Sequence, residues 1–453
     1  MLEKNAHYNV AIEDIGTNGL GIGRVSGFTV FVDGALIGDV VETKIVKVKK
    51  NYAVGKLIRV AKPSAMRVKP MCDKFELCGG CTLQSLSYKA QLELKTRLVK
   101  NTLSKIGKID ADVLPIIGME NPYNYRNKAV FPIGYNRQGK LSIGLYAANS
   151  HNIVDVPACA IQHPVCEQII SAVRKFILDN NISVYNETTG MGLMRHLVVR
   201  TGFATDEVLV ILVINGTDLP CKAILVDTLS KISGIMGIVL NINTARTSVA
   251  LSRTVKTIWG NSHITDYIGD TKFEISPLSF YQVNPVQTKI LYDTALKLAN
   301  PDPNETLIDL YCGIGTIALY SSAHVHQVVG VEVAPEAIAD AKRNQQVNNI
   351  ANAQFIEGAV EEIVPKMIET ENLSADIVVL DPPRRGCDEK LLQAIANISP
   401  KKVVYISCDP ATLARDLAFL CENGFGVQCV QPIDMFPHTM HVETVVLLQR
   451  QDT

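Results

Sequence analysis

The chain begins with a pattern of short alternating runs. Between Tyr8 and Val60, stretches such as GFTVFVDG and KIVKVKK alternate apolar and polar residues, with turn glycines between them. Alternation with a period of two predicts strands that bury one face. This part of the chain therefore predicts a small five-stranded β-barrel.

A different pattern occupies the C-terminal part. Apolar runs recur between helical stretches, in the order TLIDLY, VVGVEV, AQFIEG, DIVVLD, KVVYIS and TVVLLQ. Regular alternation of strand and helix predicts a doubly wound, mainly parallel sheet. Asn284 followed by Pro285 is typical of a helix start, and that helix is expected to run to Ala299.

The middle of the chain predicts a second α/β unit. Strands such as HLVVR and VLVILVING alternate with helical stretches near residues 165–179 and 221–232. Residues 84–106 contain an amphipathic helical pattern, clearest from Tyr88, that Gly107 would end. We expect an α/β multidomain protein with a barrel in residues 1–62, a central α/β domain in 63–272 and a Rossmann-like domain in 273–453.

The composition is that of a folded protein. Of the 453 residues, 47% are hydrophobic and 20% are charged, without a low-complexity tract, so the chain is expected to fold throughout. The N-terminus lacks the apolar run of a signal peptide, and no apolar segment approaches the roughly 20 residues of a membrane span. We expect a cytoplasmic protein without membrane contact.

Charge is distributed unevenly along the chain. The net charge is −1, but residues 1–110 contain 18 Lys and Arg against 10 Asp and Glu, and the remainder contains 26 against 35. A basic N-terminal segment is expected of a domain that docks on phosphates, although a solvated basic face would show the same balance. Charge alone leaves both interpretations open.

A glycine loop after the first C-terminal strand predicts a cofactor site. In DLYCGIGT, Gly313 and Gly315 allow a tight turn and a close approach of the backbone to a ligand. The next strand ends in Glu332, whose carboxylate could accept hydrogen bonds from ribose hydroxyls or could be a solvated charge. The loop lacks the third glycine of a dinucleotide site, which favours a single nucleoside ligand such as S-adenosylmethionine. Asp381 in DPP follows another strand at the same sheet edge.

Cys408 is the candidate nucleophile. It follows the strand VVYI and precedes the helical stretch ATLARDLAFL, where the positive end of a helix dipole can lower a thiol pKa. Its alternative is an inert thiol, as expected for Cys312, Cys421 and Cys429. A methyltransferase needs a nucleophilic thiol when the acceptor is an electron-poor carbon such as C5 of a pyrimidine.

Such a reaction also needs a base for the C5 proton. Glu443 lies just before the final apolar strand, at an edge that could face Cys408. His438 and His441 in the same segment are competing candidates, or they cap the loop.

Together these motifs resemble the RNA uracil-C5 methyltransferase family, and within it the bacterial 23S ribosomal RNA branch. The resemblance covers nearly the whole chain, and its most specific marks are SFYQVNP, DLYCGIGT, DPPRRG, ISCDP and MHVETV. The N-terminal barrel resembles a TRAM domain, an oligonucleotide-binding-type barrel that holds RNA. The target uracil would leave its stack before reaction.

The resemblance implies roles for individual residues. Cys408 would be the nucleophile and Glu443 the proton acceptor. The helix from Tyr88 would pack against the catalytic domain. The sequence does not give the oligomeric state, and we assume a monomer. The cofactor would be bound by Gln282, Tyr311, Glu332 and Asp381. Phe280 and Arg126 would lie on the RNA side.

A cysteine cluster matches the same branch. Eleven cysteines in a cytosolic protein favour metal ligands, catalytic thiols or core residues over disulfides. The resemblance implies a structural [4Fe–4S] cluster held by Cys72, Cys78, Cys81 and Cys159. Four cysteines would also suit zinc, and Cys166 could replace Cys159 as the fourth ligand.

Three rival hypotheses remain. DPP followed by an aromatic residue is typical of exocyclic-amine methyltransferases, but Arg384 stands at that position here. The substrate could be tRNA rather than 23S ribosomal RNA. The chain could also be a non-catalytic iron–sulfur protein that binds RNA or assists ribosome assembly, although intact Cys408 and Glu443 argue against it.

Overall fold

Our computed structural model describes residues 2–136, 138–371 and 375–451. The N-terminal part is a closed five-stranded barrel, in which Val10, Val30, Val41 and Ile45 are fully buried. Its strands follow one another in the spatial order β1-β2-β3-β5-β4. The bounds are β1 His7–Ile15, β2 Gly21–Val25, β3 Phe28–Val32, β4 Val40–Val48 and β5 Tyr52–Lys62. The predicted five-stranded barrel is confirmed.

A buried carboxylate joins the barrel to the segment that follows it. Asp39 accepts hydrogen bonds from the backbone N–H of Leu36 at 2.7 Å and of Ser64 at 2.9 Å. The Arg67 guanidinium pairs with the same carboxylate at 2.7 Å. Because each carboxylate oxygen has several donors, the negative charge is satisfied inside the protein. The linker therefore leaves the barrel in a fixed direction.

The first helix packs against residues that are distant from it in sequence. Helix α1 spans Tyr88–Thr102, and one π-helical turn continues it over Leu103–Gly107. The phenol of Tyr88 donates to Asp434 at 2.8 Å, and the ammonium of Lys95 pairs with the same carboxylate at 2.5 Å. Lys95 and Asp434 are both fully buried, so neither charge can be removed without stranding the other. This network fixes α1 to the loop that leads into Glu443.

The central part is a seven-stranded mixed sheet. Its order is β12-β11-β10-β9-β6-β7-β8, with two helices on one face. The strands are β6 Lys128–Tyr135, β7 Leu141–Tyr146, β8 Ile153–Asp155, β9 Met194–Thr201, β10 Val208–Ile214, β11 Ile235–Ile242 and β12 Val255–Gly260. The helices are α2 Val165–Asp179 and α3 Lys222–Leu229. The other face carries Val198, Leu209 and Ile211 into a core shared with the C-terminal part.

A separate hairpin connects the two sheets. Strands β13 (Ile264–Ile268) and β14 (Thr271–Ile275) pair antiparallel, and Phe273 is fully buried in the shared core. The domain boundary expected after residue 272 falls inside β14. The two strands pair across a tight turn and bury one common face, so the hairpin is a single unit that no boundary divides.

The C-terminal part is a doubly wound sheet of seven strands in the order β17-β16-β15-β18-β19-β21-β20. Its strands are β15 Thr306–Leu310, β16 Gln327–Glu332, β17 Ala353–Glu357, β18 Ile377–Leu380, β19 Lys402–Ser407, β20 Phe425–Ile433 and β21 Glu443–Arg450. Its helices are α4 Pro285–Ala299, α5 Thr316–Ser321, α6 Pro335–Val347, α7 Val360–Glu371, α8 Glu389–Ile398 and α9 Pro410–Glu422. The strands pair in parallel except β21, which is antiparallel to both of its neighbours.

The predicted parallel sheet is confirmed, and α4 has the predicted bounds and the predicted cap, in which Asn284 accepts from the N–H of Gln287 at 3.2 Å. Strand β20 was not predicted from the sequence, because polar residues and Pro432 interrupt its apolar pattern. None of the described helices is both long and apolar enough to cross a membrane.

Candidate active site

Four parallel strands end side by side at one edge of the C-terminal sheet. Tyr311 follows β15, Glu332 ends β16, Asp381 follows β18 and Cys408 follows β19. Open α/β sheets bind their ligands at this carboxyl edge because the loops there diverge and leave a crevice. The fold thus brings residues that are almost a hundred positions apart in sequence to one edge.

Cys408 lies directly after β19, and Glu443 is the first residue of the neighbouring strand β21. In the antiparallel pair of β19 and β21, Ser407 is the partner of Thr444. Cys408 is the next residue after Ser407, and Glu443 is the residue before Thr444, so the ladder extended by one step pairs them. Directly opposed residues of such a pair project to the same face. The register places a thiol and a carboxyl side by side.

The thiol of Cys408 is not activated by its position alone. Burial, followed by the nearby carboxyls of Glu443 and Asp381, raises its pKa to about 12. Asp409 caps α9 by accepting from the N–H groups of Ala411 at 2.9 Å and Thr412 at 3.2 Å. The first-turn donors are therefore already occupied by a carboxylate. The expectation that the start of the helix lowers the thiol pKa is wrong for the protein without ligands.

Glu443 forms an acidic pair with Asp381. Glu443 is 2% exposed, and burial together with Asp381 raises its pKa well above the ordinary range. Burial likewise raises the pKa of Asp381 to about 7, while a long hydrogen bond of 3.5 Å from the Gln282 amide opposes this shift. Two neighbouring buried carboxyls resist double ionisation. The protonated form of the pair is therefore favoured, and a nearby positive charge would favour the ionised form.

The two competing histidines have other partners. His438 is buried, its Nδ1 lies 3.2 Å from the Gln91 amide of α1, and its ring stacks on Tyr123 with centroids 4.6 Å apart. Burial lowers its pKa to about 4, so this ring stays neutral. Nδ1 of His441 lies 3.2 Å from the Arg384 guanidinium, and burial also lowers the pKa of His441. His438 is thus part of the α1 contact.

The glycine loop leaves space for a ligand. Gly313 has φ of +56°, and no atom lies within 4 Å of the position that a Cβ would take. Gly315 has φ of +80°, and a Cβ there would meet the Phe355 ring at 2.8 Å. The first glycine therefore borders open space, whereas the second permits close packing.

The carboxylate of Glu332 is oriented toward this loop. It accepts from the N–H of Gly313 at 3.1 Å and from the N–H of Ala334 at 2.9 Å. Each oxygen retains a second lone pair for a ribose hydroxyl. Tyr311 has φ of +67°, and its phenol donates to Glu361 at 3.0 Å. The strand-end carboxylate and the open glycine loop fit a single nucleoside cofactor.

Two residues at this edge were not predicted from the sequence. Val333 directly follows Glu332 and is 62% exposed, which leaves an apolar side chain open beside the Glu332 carboxylate. Arg384 lies near the Cys408 thiol and lowers its pKa, although less than the other groups raise it. An apolar residue directly after a strand-end carboxylate is a signal in the sequence, but the approach of Arg384 to Cys408 depends on tertiary folding.

A cavity of about 340 Å³ opens beside Cys408. Its walls come from the β1–β2 loop of the barrel, from α1 with its π-helical turn, and from the loops around Arg384, Cys408 and His441. The lining residues are Thr17, Leu98, Thr102, Ile106, Arg384, Cys408, Asp409, Pro410, Ala411, Met440, His441 and Val442. The barrel therefore contributes directly to the wall of the catalytic crevice.

The two residues expected on the RNA side lie on segments that are hydrogen-bonded to each other. Phe280 is 67% exposed in the loop before α4. The next residue after Arg126, Asn127, donates from its amide to the Gln282 carbonyl at 2.9 Å and from its backbone to the Val283 carbonyl at 2.9 Å. The loop that carries Phe280 is therefore fixed to the start of β6, next to Arg126.

The four predicted metal ligands come from two segments that fold close together. Cys72, Cys159 and Cys166 line one cavity of about 390 Å³. Burial raises the pKa of the Cys81 thiol to about 12, and the thiols of Cys159, Cys78 and Cys72 add to that shift. Among the described residues, however, no group of three or more His, Cys, Asp or Glu side chains has the spacing of a metal site. The arrangement does not support the predicted metal site, which stays a prediction.

Comparison with known proteins agrees with this geometry. Residues 268–451 match the family model described as tRNA (Uracil-5-)-methyltransferase, and residues 2–58 match that of the TRAM domain. A Clostridium tetani protein described as an uncharacterised RNA methyltransferase is 48% identical over 448 residues, covering 99% of this chain and 97% of that protein. A similarly described Caldanaerobacter subterraneus protein is 47% identical and covers 98% of each chain. The chain belongs to the RNA uracil-C5 methyltransferase family.

A solved structure extends the similarity to the whole fold. The Pyrococcus abyssi tRNA (uracil-54, C5)-methyltransferase, in complex with S-adenosyl-L-homocysteine, superposes with a TM-score of 0.77 at 29% identity. The match covers 97% of this chain and 99% of that one. The protein is an S-adenosylmethionine-dependent RNA methyltransferase with an N-terminal TRAM barrel.

Proposed function

We propose that the protein methylates C5 of a uracil in RNA, with Cys408 as the covalent nucleophile and Glu443 as the base. The observation that carries this proposal is the register of β19 and β21, which sets the thiol and the carboxyl opposite each other beside Asp381. An exocyclic-amine methyltransferase would need neither group. A non-catalytic RNA-binding protein would have no use for a nucleophile opposite a base at a cofactor edge.

The chemistry follows from the electron demand of the acceptor. The Cys408 thiolate adds to C6 of the uracil, which forms an S–C6 bond and moves the ring electrons into an enolate. C5 of the enolate then attacks the methyl group, and the C–S bond of the methyl donor breaks. Glu443 takes the C5 proton, and the electrons of that C–H bond form the C5=C6 double bond again. The S–C6 bond breaks, and its electrons leave with the Cys408 sulfur as a thiolate. The thiolate is regenerated, so the cycle balances.

The cofactor would lie along the glycine loop. Bound S-adenosylmethionine supplies the methyl group and a sulfonium positive charge. Glu332 would hold the ribose hydroxyls and Val333 would pack against the purine, while Gln282, Tyr311 and Asp381 would complete the pocket. A positive charge near Asp381 and Glu443 favours their ionised forms. The positive charge of the cofactor would therefore favour the ionised form of Glu443, which is the form that can act as a base.

We propose 23S ribosomal RNA as the substrate, on the resemblance of the motifs to that branch. Transfer RNA is the second candidate, because the similar Pyrococcus abyssi enzyme is described as a tRNA methyltransferase. In both cases the basic barrel would hold the surrounding RNA, Phe280 would stack on a base, and Arg126 would contact the strand. The enzyme would act as a cytoplasmic monomer.

The test is product analysis with defined RNA. The purified protein is incubated with labelled S-adenosylmethionine and total RNA from cells lacking the gene, and the RNA is then separated into ribosomal and transfer fractions. We expect label in 5-methyluridine of 23S ribosomal RNA. Label in transfer RNA would favour the second substrate, whereas label on an exocyclic nitrogen would reject C5 chemistry.

We further propose that Cys72, Cys78, Cys81 and Cys159 hold a structural [4Fe–4S] cluster, remote from the methyl transfer. Support comes from the four thiols near one another and from the preference of iron–sulfur clusters for thiolate ligands. Small shifts of the cysteine loops would have to bring the sulfurs to ligand distance. Protein purified without oxygen should contain iron and sulfide in equal amounts. Zinc without sulfide would assign the site to zinc. Protein that contains neither iron nor zinc would reject a metal site.

A further inference from the structure

A group of three cations lies on one face of the central sheet. In the antiparallel pair of β6 and β9, Lys128 is the direct partner of Arg200. Arg126 lies two residues before Lys128, and Val198 lies two residues before Arg200. Residues two apart on a strand share a face, and Val198 is buried in the core shared with the C-terminal part. Lys128 and Arg200 therefore face the catalytic domain, and Arg126, which precedes β6, lies close enough to Lys128 to lower its pKa.

This face adjoins the loop that carries Phe280. The Arg200 guanidinium donates to the carbonyl of Ser279 and, at 3.2 Å, to that of Pro277. The amide of Asn127 donates to the carbonyl of Gln282 at 2.9 Å. The segments that carry Arg200 and Asn127 are thus hydrogen-bonded to the loop that carries Phe280, and Gln282 of the same loop reaches Asp381 at 3.5 Å.

Lys128 has no counter-charge in its surroundings. It is half-buried, and within the part of the chain that the structure describes its ammonium forms neither a hydrogen bond nor an ion pair. Burial, then Arg200 and Arg126, lower its pKa to about 7. The fully buried Lys95, by contrast, pairs with Asp434. A partly buried cation without a partner costs some stability, which is typical of a group kept for a ligand.

We propose that Lys128, together with Arg126, binds an RNA phosphate next to the target uridine. This inference rests on the proposed function and names a contact that positions its substrate. A phosphate oxygen would supply the missing acceptor and counter-charge for Lys128, while the neighbouring Phe280 offers a surface for a base. The carboxylate of the cofactor is the other source of an oxyanion, and the experiment below separates the two.

Replacement of Lys128 by Met keeps the apolar stem and removes the charge. We expect the KM for RNA to rise about tenfold or more, since charge-assisted hydrogen bonds are among the strong ones. The kcat and the KM for S-adenosylmethionine should change by less than about twofold. The slope of log affinity against log salt should fall by about one, and Lys128→Arg should restore binding. The melting temperature should stay equal or rise, because an unpaired buried charge is removed.

Lys140→Met is the matched control. Lys140 lies exposed at the turn that links β6 and β7, so this variant removes one positive charge from the same domain and should bind RNA as the wild type does. Unchanged RNA affinity in Lys128→Met, or an equal loss in Lys140→Met, would overturn the proposal. A raised KM for the cofactor alone would assign the oxyanion to its carboxylate and would also overturn it.

A structural role for Lys128 would appear as a lowered melting temperature with loss of both substrates, which contradicts phosphate binding. RNA affinity is measured by filter binding without turnover. If the wild type methylates a position other than uracil C5, the proposed function fails, yet the binding difference between Lys128→Met and Lys140→Met still decides this inference.

Discussion

Replacement of Cys408 by Ala is expected to abolish methyl transfer and the covalent complex together. Without the thiolate no enolate forms at the uracil, and C5 is too poor a nucleophile to attack the methyl group. The rate should fall by at least about 10³-fold, since a nucleophile and its partners act as one unit. The measurement is transfer of labelled methyl to RNA, alongside trapping of the enzyme on RNA that contains 5-fluorouracil.

Cys421→Ala is the control for this variant. Cys421 is a half-buried thiol on α9, the helix that follows Cys408, and it should be dispensable. Cys408→Ala should still bind RNA and cofactor with near wild-type affinity, because the removed thiol is small and only half-buried. A trapped complex in Cys408→Ala, or its loss in Cys421→Ala, would contradict the assignment of Cys408.

The raised pKa of Cys408 sets the sign of the pH dependence. With a pKa of about 12, the thiolate fraction of the free protein grows as pH rises. Formation of the trapped complex should therefore accelerate from about pH 6 to about pH 9. An adduct rate that is flat over this range would mean that substrate binding, through Arg384 or the sulfonium charge, has already lowered the thiol pKa.

The sequence allowed the catalytic edge to be predicted because its residues follow strand ends. Glu332, Asp381 and Cys408 each come directly after an apolar run, and parallel strands bring such positions to one edge. The same local reasoning predicted the helix cap at Asn284. It failed for β20, because glutamines and a proline interrupt the apolar pattern of this strand. Pairing with β21 sets its position.

Contacts between distant segments could not be predicted in this way. The sign of the Cys408 pKa shift depends on burial and on two carboxyls from β18 and β21, none of which is adjacent in sequence. The isolation of Lys128 and the pairing of Lys95 with Asp434 also follow from tertiary packing. Local pattern identifies a residue at a strand end, whereas its electrostatic state is a property of the assembled fold.

Replacement of Glu443 by Gln is expected to stop the reaction after methylation. The amide keeps the size of the side chain and its place opposite Cys408, so the thiolate can still add to C6 and C5 can still take the methyl group. Without a base the C5 proton remains, and Cys408 cannot be expelled. Product release should slow by about 10²-fold to 10⁴-fold, the usual range for a general base. A methylated protein–RNA complex that survives denaturing electrophoresis should accumulate on ordinary uracil RNA.

Two variants make this outcome specific to Glu443. His441→Gln removes the competing histidine that lines the cavity beside Cys408, and His438→Gln disturbs the contact with α1. Neither variant should accumulate the methylated adduct. Folding should persist in Glu443→Gln, because the amide has the size of the carboxyl, and burial and Asp381 already raise the pKa of that carboxyl and so favour its uncharged form. Normal turnover in Glu443→Gln would transfer the base role to a histidine. Adduct accumulation in His441→Gln alone would identify His441 as the base. The acidic pair of Glu443 and Asp381 would then interact with the positive charge of the cofactor instead.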